Sequence, residues 1–88
     1  MMSREEVFEG LKEVLHIIRP NTDLSKVSPE TELVRELGID SLSMMLLSLA
    51  VEEKFKFRFP DGQAPFRTAG EVCDFVVKAI DKQQNGKT

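Results

Sequence analysis

Glu36-Leu37-Gly38-Ile39-Asp40-Ser41-Leu42, with the apolar run from Met44 to Val51 behind it, decides how this 88-residue chain folds. Gly38 lacks a Cβ and suits a turn that other residues avoid. Asp40 and Ser41 both favour a helix start, because their oxygens accept from unpaired N–H groups of a first turn. Leu42 to Lys54 holds no Gly, no Pro and no β-branched cluster, so a helix of about three to four turns is expected there. A serine hydroxyl then stands at the positive end of a helix dipole, a place suited to a phosphate. The same residues also fit Ser41 as a capping residue and nothing more.

Leu42, Met44, Met45, Leu46, Leu47, Leu49, Ala50 and Val51 leave only Ser43 and Ser48 polar before Glu52. A helix apolar nearly all round is either buried on every side or keeps one face for a partner. A chain this short cannot enclose it, so some of Met44, Met45, Leu46 and Leu49 are expected at the surface. Methionine thioethers adapt to differing contacts.

Upstream, Ser3 and Glu6 form the Ser-x-x-Glu capping pattern. Val7, Phe8, Leu11, Val14, Leu15 and Ile18 recur at helical steps, and Pro20 ends that first helix with Arg19 biased out of helical geometry. Residues 21–40 form a long connection, too long to be left unanchored. Leu24, Val27, Leu33, Val34 and Leu37 are its expected anchors, and Ser28-Pro29 is expected to open a short helical turn to Val34. Downstream, Phe55, Phe57 and Phe59 alternate with Lys56 and Arg58. With no second strand to pair with, an extended exit with the rings turned inward is expected rather than a strand. Pro60-Asp61-Gly62 reads as a turn and Ala64 to Arg67 as one short helical turn. Thr68 and Glu71 repeat the capping pattern, and Val72, Phe75, Val76, Ala79 and Ile80 carry a last helix to about Lys82. Residues 83–88 are expected to fray. The expected architecture is all-α: a small four-helix bundle, three main helices plus a short third helix, with a long loop between helices 1 and 2. It is one domain over 1–88, with an ordered core at about 3–82.

Apolar residues are 41% and charged residues 31%, a globular balance in a chain with room for one core. A single cysteine allows no internal disulfide, and no Cys/His spacing suggests a metal. No signal peptide or long apolar segment is visible, so a cytoplasmic protein without membrane insertion is expected. The net charge of −3 argues against nucleic acid. Residues 1–40 hold nine acids and five bases, whereas residues 41–88 hold six and seven, so the acidity sits in the first half. Catalysis is not expected. His16 is the only histidine and lies in a different helix from Ser41, with no second partner at a recognisable spacing. Cys73 reads as a small buried hydrophobe.

Val27-Ser28-Pro29-Glu30-Thr31, Gly38-Ile39-Asp40-Ser41-Leu42, Glu52-Glu53-Lys54-Phe55 and Phe57-Arg58-Phe59-Pro60-Asp61, in that order and spacing, resemble the acyl carrier protein family from about Glu5 to Ile80. The resemblance implies that Ser41 carries a covalent 4′-phosphopantetheine arm from coenzyme A, placed there by a phosphopantetheinyl transferase, with Asp40 and Leu42 beside it. It implies no enzymatic activity. The chain would present acyl thioesters, as a monomer, to acyl-loading, condensing and other enzymes of fatty acid, polyketide or related biosynthesis. Ser43, Met44, Met45, Leu46, Leu49, Glu52 and Glu53 would form the docking face. Ser43 and Leu46 stand where carriers of bacterial fatty acid synthesis usually place acids, which favours a dedicated partner set and weaker steering by charge. An aminoacyl or peptidyl carrier, and an unmodified helical interaction module, remain as alternatives.

Overall fold

Ser3 begins the first helix by a reciprocal cap: Glu6 N–H donates to its hydroxyl while the Glu6 carboxylate accepts from Ser3 N–H. In the computed structural model, which describes residues 2–60 and 66–85, α1 then runs Arg4–Ile18. Its core face is Val7, Leu11, Val14 and Leu15, all buried, with Phe8 and Ile18 half-buried at the edges. A short 3-10 turn follows at Leu24–Lys26, capped by Asp23. The second helix, α2, spans Ser41–Phe55, and the third, α3, spans Ala69–Asn85.

Among the described residues the fold is therefore all-helical, with three α-helices and a single isolated bridge, Glu32 with Thr68, in place of any strand. The short helix expected over residues 64–67 falls partly on residues 64 and 65, and the turn at 60–62 on residues 61 and 62, all outside the described residues. Phe66 and Arg67 are not helical. The last helix passes Lys82, where its apolar stripe ends, and continues to Asn85; residues 86–88 lie outside the described residues.

The core forms where the three helices meet. Leu47, Val51 and Phe55 from α2 face the α1 set, and Ala69, Val72, Cys73 and Val76 come from α3. The exit from α2 turns at Lys56, which adopts a left-handed conformation and closes the helix by donating its N–H to Glu52 C=O. Phe57 is then buried and Phe59 half-buried, and their rings meet edge to face at 4.8 Å. Phe59 also lies 5.3 Å from Phe75 and 5.6 Å from Phe66. The inward phenylalanines thus close the end of the bundle.

The long connection departs from expectation in its detail. Pro29 opens one turn, with Thr31 N–H on Ser28 C=O at 3.0 Å, but no helical turn running on to Val34. Instead, Leu33 N–H donates to Arg67 C=O at 2.9 Å, Ala69 N–H to Thr31 C=O at 3.0 Å, and Gly70 N–H to Pro29 C=O at 2.7 Å. Backbone groups that a helix would have paired locally are paired across to the start of α3, where burial demands partners. Turns with α-helical spacing appear only later, with Glu36 N–H on Glu32 C=O and Gly38 N–H on Val34 C=O. Val27 and Leu33 are buried and Leu24 and Leu37 half-buried, as anchors should be. Val34 is exposed, and its place in the core is taken by Ile39, which is fully buried.

Candidate functional site

Two local devices place Ser41. Gly38 sits at φ +68°, the left-handed region that favours glycine, and turns the connection toward α2. Ile39 follows it into the core and donates its N–H to Leu33 C=O at 3.1 Å, which holds the turn down. Asp40 then caps α2: its carboxylate accepts from Ser43 N–H at 2.8 Å, and its C=O takes Met44 N–H at 2.8 Å. Asp40, Ser41 and Leu42 are all exposed. Ser41 is therefore the first helical residue, its hydroxyl in solvent, and not the cap itself. Its own N–H and that of Leu42 have no partner among the described residues, as expected for the orphan donors of a first turn.

Asp40 is ionised more readily than an ordinary aspartate. The Ser43 N–H bond is the main cause, the Ser43 side chain adds to it, and the nearby charge of Arg19 contributes. Arg19 reaches the turn from the end of α1, where its guanidinium Nη2 donates to Gly38 C=O. That contact carries no signal in the sequence, since the two residues are 19 apart and only the fold joins them.

One face of α2 is apolar and open. Leu42, Met45, Leu46 and Leu49 are 65%, 59%, 47% and 56% exposed, and their spacing puts them in one row that begins beside Ser41. Glu53 continues the row, with Lys56 Nζ at 3.9 Å. The other expected docking residues lie elsewhere. Met44 packs against the core, and Ser43 is half-buried with its N–H on Asp40. Glu52 is half-buried too, and its carboxylate accepts Phe59 N–H at 2.7 Å, so it serves the exit from α2. His16 is exposed on α1, and no group of metal-binding side chains occurs among the described residues. No described helix is long and apolar enough to cross a membrane.

An exposed hydroxyl beside two unpaired N–H groups at a helix N-terminus can hold a phosphate ester.

Comparison with known proteins agrees with this chemistry. Residues 5–76 match the family model described as a phosphopantetheine attachment site. The chain is 35% identical over 79 residues to an acyl carrier protein of Acidothermus cellulolyticus, covering 89% of this chain and 93% of that one. It is 43% identical over 71 residues to an acyl carrier protein of Helicobacter pylori, covering 80% and 90% of the two chains. It is also 35% identical over 77 residues to a meromycolate extension acyl carrier protein of Mycolicibacterium smegmatis, covering 86% and 77%. Members of this family carry a covalent 4′-phosphopantetheine group, receive it from a phosphopantetheinyl transferase and work with biosynthetic enzymes without being enzymes themselves. From its capped second helix to the length of these matches, the chain belongs to the acyl carrier protein family.

Proposed function

We propose that Ser41 is the residue to which the arm is attached, and that the row Leu42, Met45, Leu46, Leu49 is where partner enzymes dock. The observation that carries this reading is the exposed Ser41 hydroxyl at the head of α2. The residues present fit the group. A phosphate on Ser41 meets the open N–H groups of Ser41 and Leu42, and the helix dipole favours it by roughly 0.3–1 kcal/mol at an exposed site. Asp40, committed to Ser43 N–H, holds the first turn in place and acts as no base. When bound, the arm supplies a terminal thiol that holds an acyl group as a thioester. Leu42, beside the attachment point, offers the arm and the transferase an apolar seat.

The docking row has no charge before Glu53, which favours a dedicated acyl or polyketide pathway over general fatty acid synthesis. The likeness to meromycolate extension carriers supports specialised acyl elongation. We place the protein in the cytoplasm, where a lone cysteine stays reduced, acting as a single carrier domain and as a monomer that leaves the α2 row open to its enzymes. Intact mass after incubation with coenzyme A and a broad-specificity transferase tests the assignment. Wild type should gain one phosphopantetheine and Ser41→Ala none. A gain in Ser41→Ala, or none in wild type, refutes it. A ligase specific for amino acids that loads the holo-protein would select the aminoacyl alternative.

A further inference from the structure

Arg19 closes α1 with its backbone and works on the next element with its side chain. Its N–H donates to Leu15 C=O at 2.7 Å, and Pro20 prevents the helix from going on. Its guanidinium then crosses to the turn before α2, where Nη2 donates to Gly38 C=O. Nε is buried with no protein partner, so the side chain is drawn in at a cost rather than left in solvent.

The point of contact matters. The turn holds itself through N–H groups: Gly38 N–H on Val34 C=O and Ile39 N–H on Leu33 C=O, each at 3.1 Å. The Gly38 carbonyl has Arg19 as its one partner among the described residues. That carbonyl belongs to the left-handed residue, so its direction sets the path of the chain into Asp40 and Ser41. A glycine peptide left unheld would rotate more freely than any other in the turn.

We infer that Arg19 is a positioning residue for arm attachment: by clamping the Gly38 carbonyl it fixes the Gly38–Asp40 turn and so aims the Ser41 hydroxyl at the transferase. This rests on Ser41 being the attachment point. In the transfer, the Ser41 oxygen bonds to the phosphorus next to the pantetheine of coenzyme A. The P–O bond to the adenosine bisphosphate half breaks, that half leaves, and the hydroxyl proton passes to a base on the transferase. Arg19 takes no part in these bonds. Its effect is on orientation, to which such transfers are sensitive.

The experiment follows arm transfer by intact mass on the unloaded full chain of wild type, Arg19→Ala, Arg19→Lys, Arg19→Gln and Arg35→Gln. Amide exchange at Gly38 and Ile39, whose N–H groups are bonded within the turn, is read in parallel. Arg35 is an exposed cation of the same connection, paired with Glu32 at 3.4 Å, and serves as the charge control. Arg19→Ala should lower kcat about tenfold with KM changed by less than about twofold, and speed exchange about tenfold. Arg19→Lys should recover most of the kcat, Arg19→Gln less, and Arg35→Gln should match wild type. Wild-type kcat and exchange in Arg19→Ala overturn the inference. So does a loss confined to KM, which would mark a docking contact, or an equal loss in Arg35→Gln. Where Arg19→Ala lacks helical circular dichroism, the ranking of Lys above Gln decides. Failure of wild type to load would defeat the Ser41 assignment instead, and the exchange data would still decide whether Arg19 holds the turn.

Discussion

Replacing Gly38 with alanine separates the backbone conformation of the turn from its packing. A Cβ built at Gly38 has open space around it, its nearest neighbour being Arg19 Nη2 at 4.0 Å, so no steric clash enters. What remains is the φ of +68°, which costs an L-residue about 1–2 kcal/mol. Alanine also restricts the unfolded chain, which returns about 0.4–1 kcal/mol. The net loss is about 1 kcal/mol, or about 4–8 °C in the midpoint of a domain this size. Thermal unfolding followed by circular dichroism at 222 nm reads it directly. Gly38→Asn belongs in the same experiment, because asparagine tolerates left-handed geometry and should lose less. A midpoint for Gly38→Ala equal to wild type, or an asparagine variant less stable than the alanine one, would refute a left-handed Gly38.

The remaining predictions concern the docking row, the seam with α3 and the cap. Leu46→Glu should weaken binding to the native partner enzyme by about tenfold while arm attachment proceeds near the wild-type rate; equal losses in the two assays would remove the row from docking. Gly70→Ala should lower the melting midpoint, because its Cβ would lie 2.8 Å from the Pro29 carbonyl oxygen that accepts Gly70 N–H, an overpacking cost of about 1–3 kcal/mol against a helix gain of about 1. Gly10→Ala should also lower the midpoint, since its Cβ would lie 2.5 Å from Cζ and 3.2 Å from Cε1 of the core Phe55 ring, which would have to shift; a midpoint at or above wild type would contradict the packing of α1 on α2 there. Asp40 has a native pKa below its ordinary value of 3.8, so the stability it adds is present above that value and fades as the pH falls through the native one. Asp40→Asn keeps an acceptor for Ser43 N–H without titrating, so its deficit in urea melts should shrink between neutral pH and about pH 2; a constant deficit would rule out the linkage.

The three helices are legible in the sequence because their signals are local. Ser3 and Glu6 lie one turn apart and bond each other, and Asp40 finds Ser43 N–H three residues on. The second capping pattern shows where locality ends. Glu71 N–H does donate to the Thr68 hydroxyl, but the Glu71 carboxylate accepts from Arg67 N–H, because the chain before α3 is drawn to the connection. The same long-range bonding explains why the turn at Pro29 does not run on as helix to Val34. Ser28-Pro29 is a fair helix start by itself, yet Thr31 and Leu33 find partners at Ala69 and Arg67. Ile39 gave no periodic signal, being a lone apolar residue between Gly38 and Asp40. At the site, exposure of the α2 row was readable because eight apolar residues exceed what three short helices can cover. Which residues form it was not, since Met44 and Glu52 are settled by the phase of the helix and by the return of Phe59.

Cys73 lies in the core, and burial, the main cause, pushes its thiol up to about 11, with Arg4 opposing and Asp74 adding to the shift. At neutral pH only about one molecule in ten thousand then holds a thiolate there, and reagents reach it poorly. The polypeptide is thus nearly silent toward maleimides and disulfide dyes, so colour developed under native conditions counts arms whose thiol is free of an acyl group. An acyl group handed along the tether likewise meets no rival sulfur on the chain that carries it.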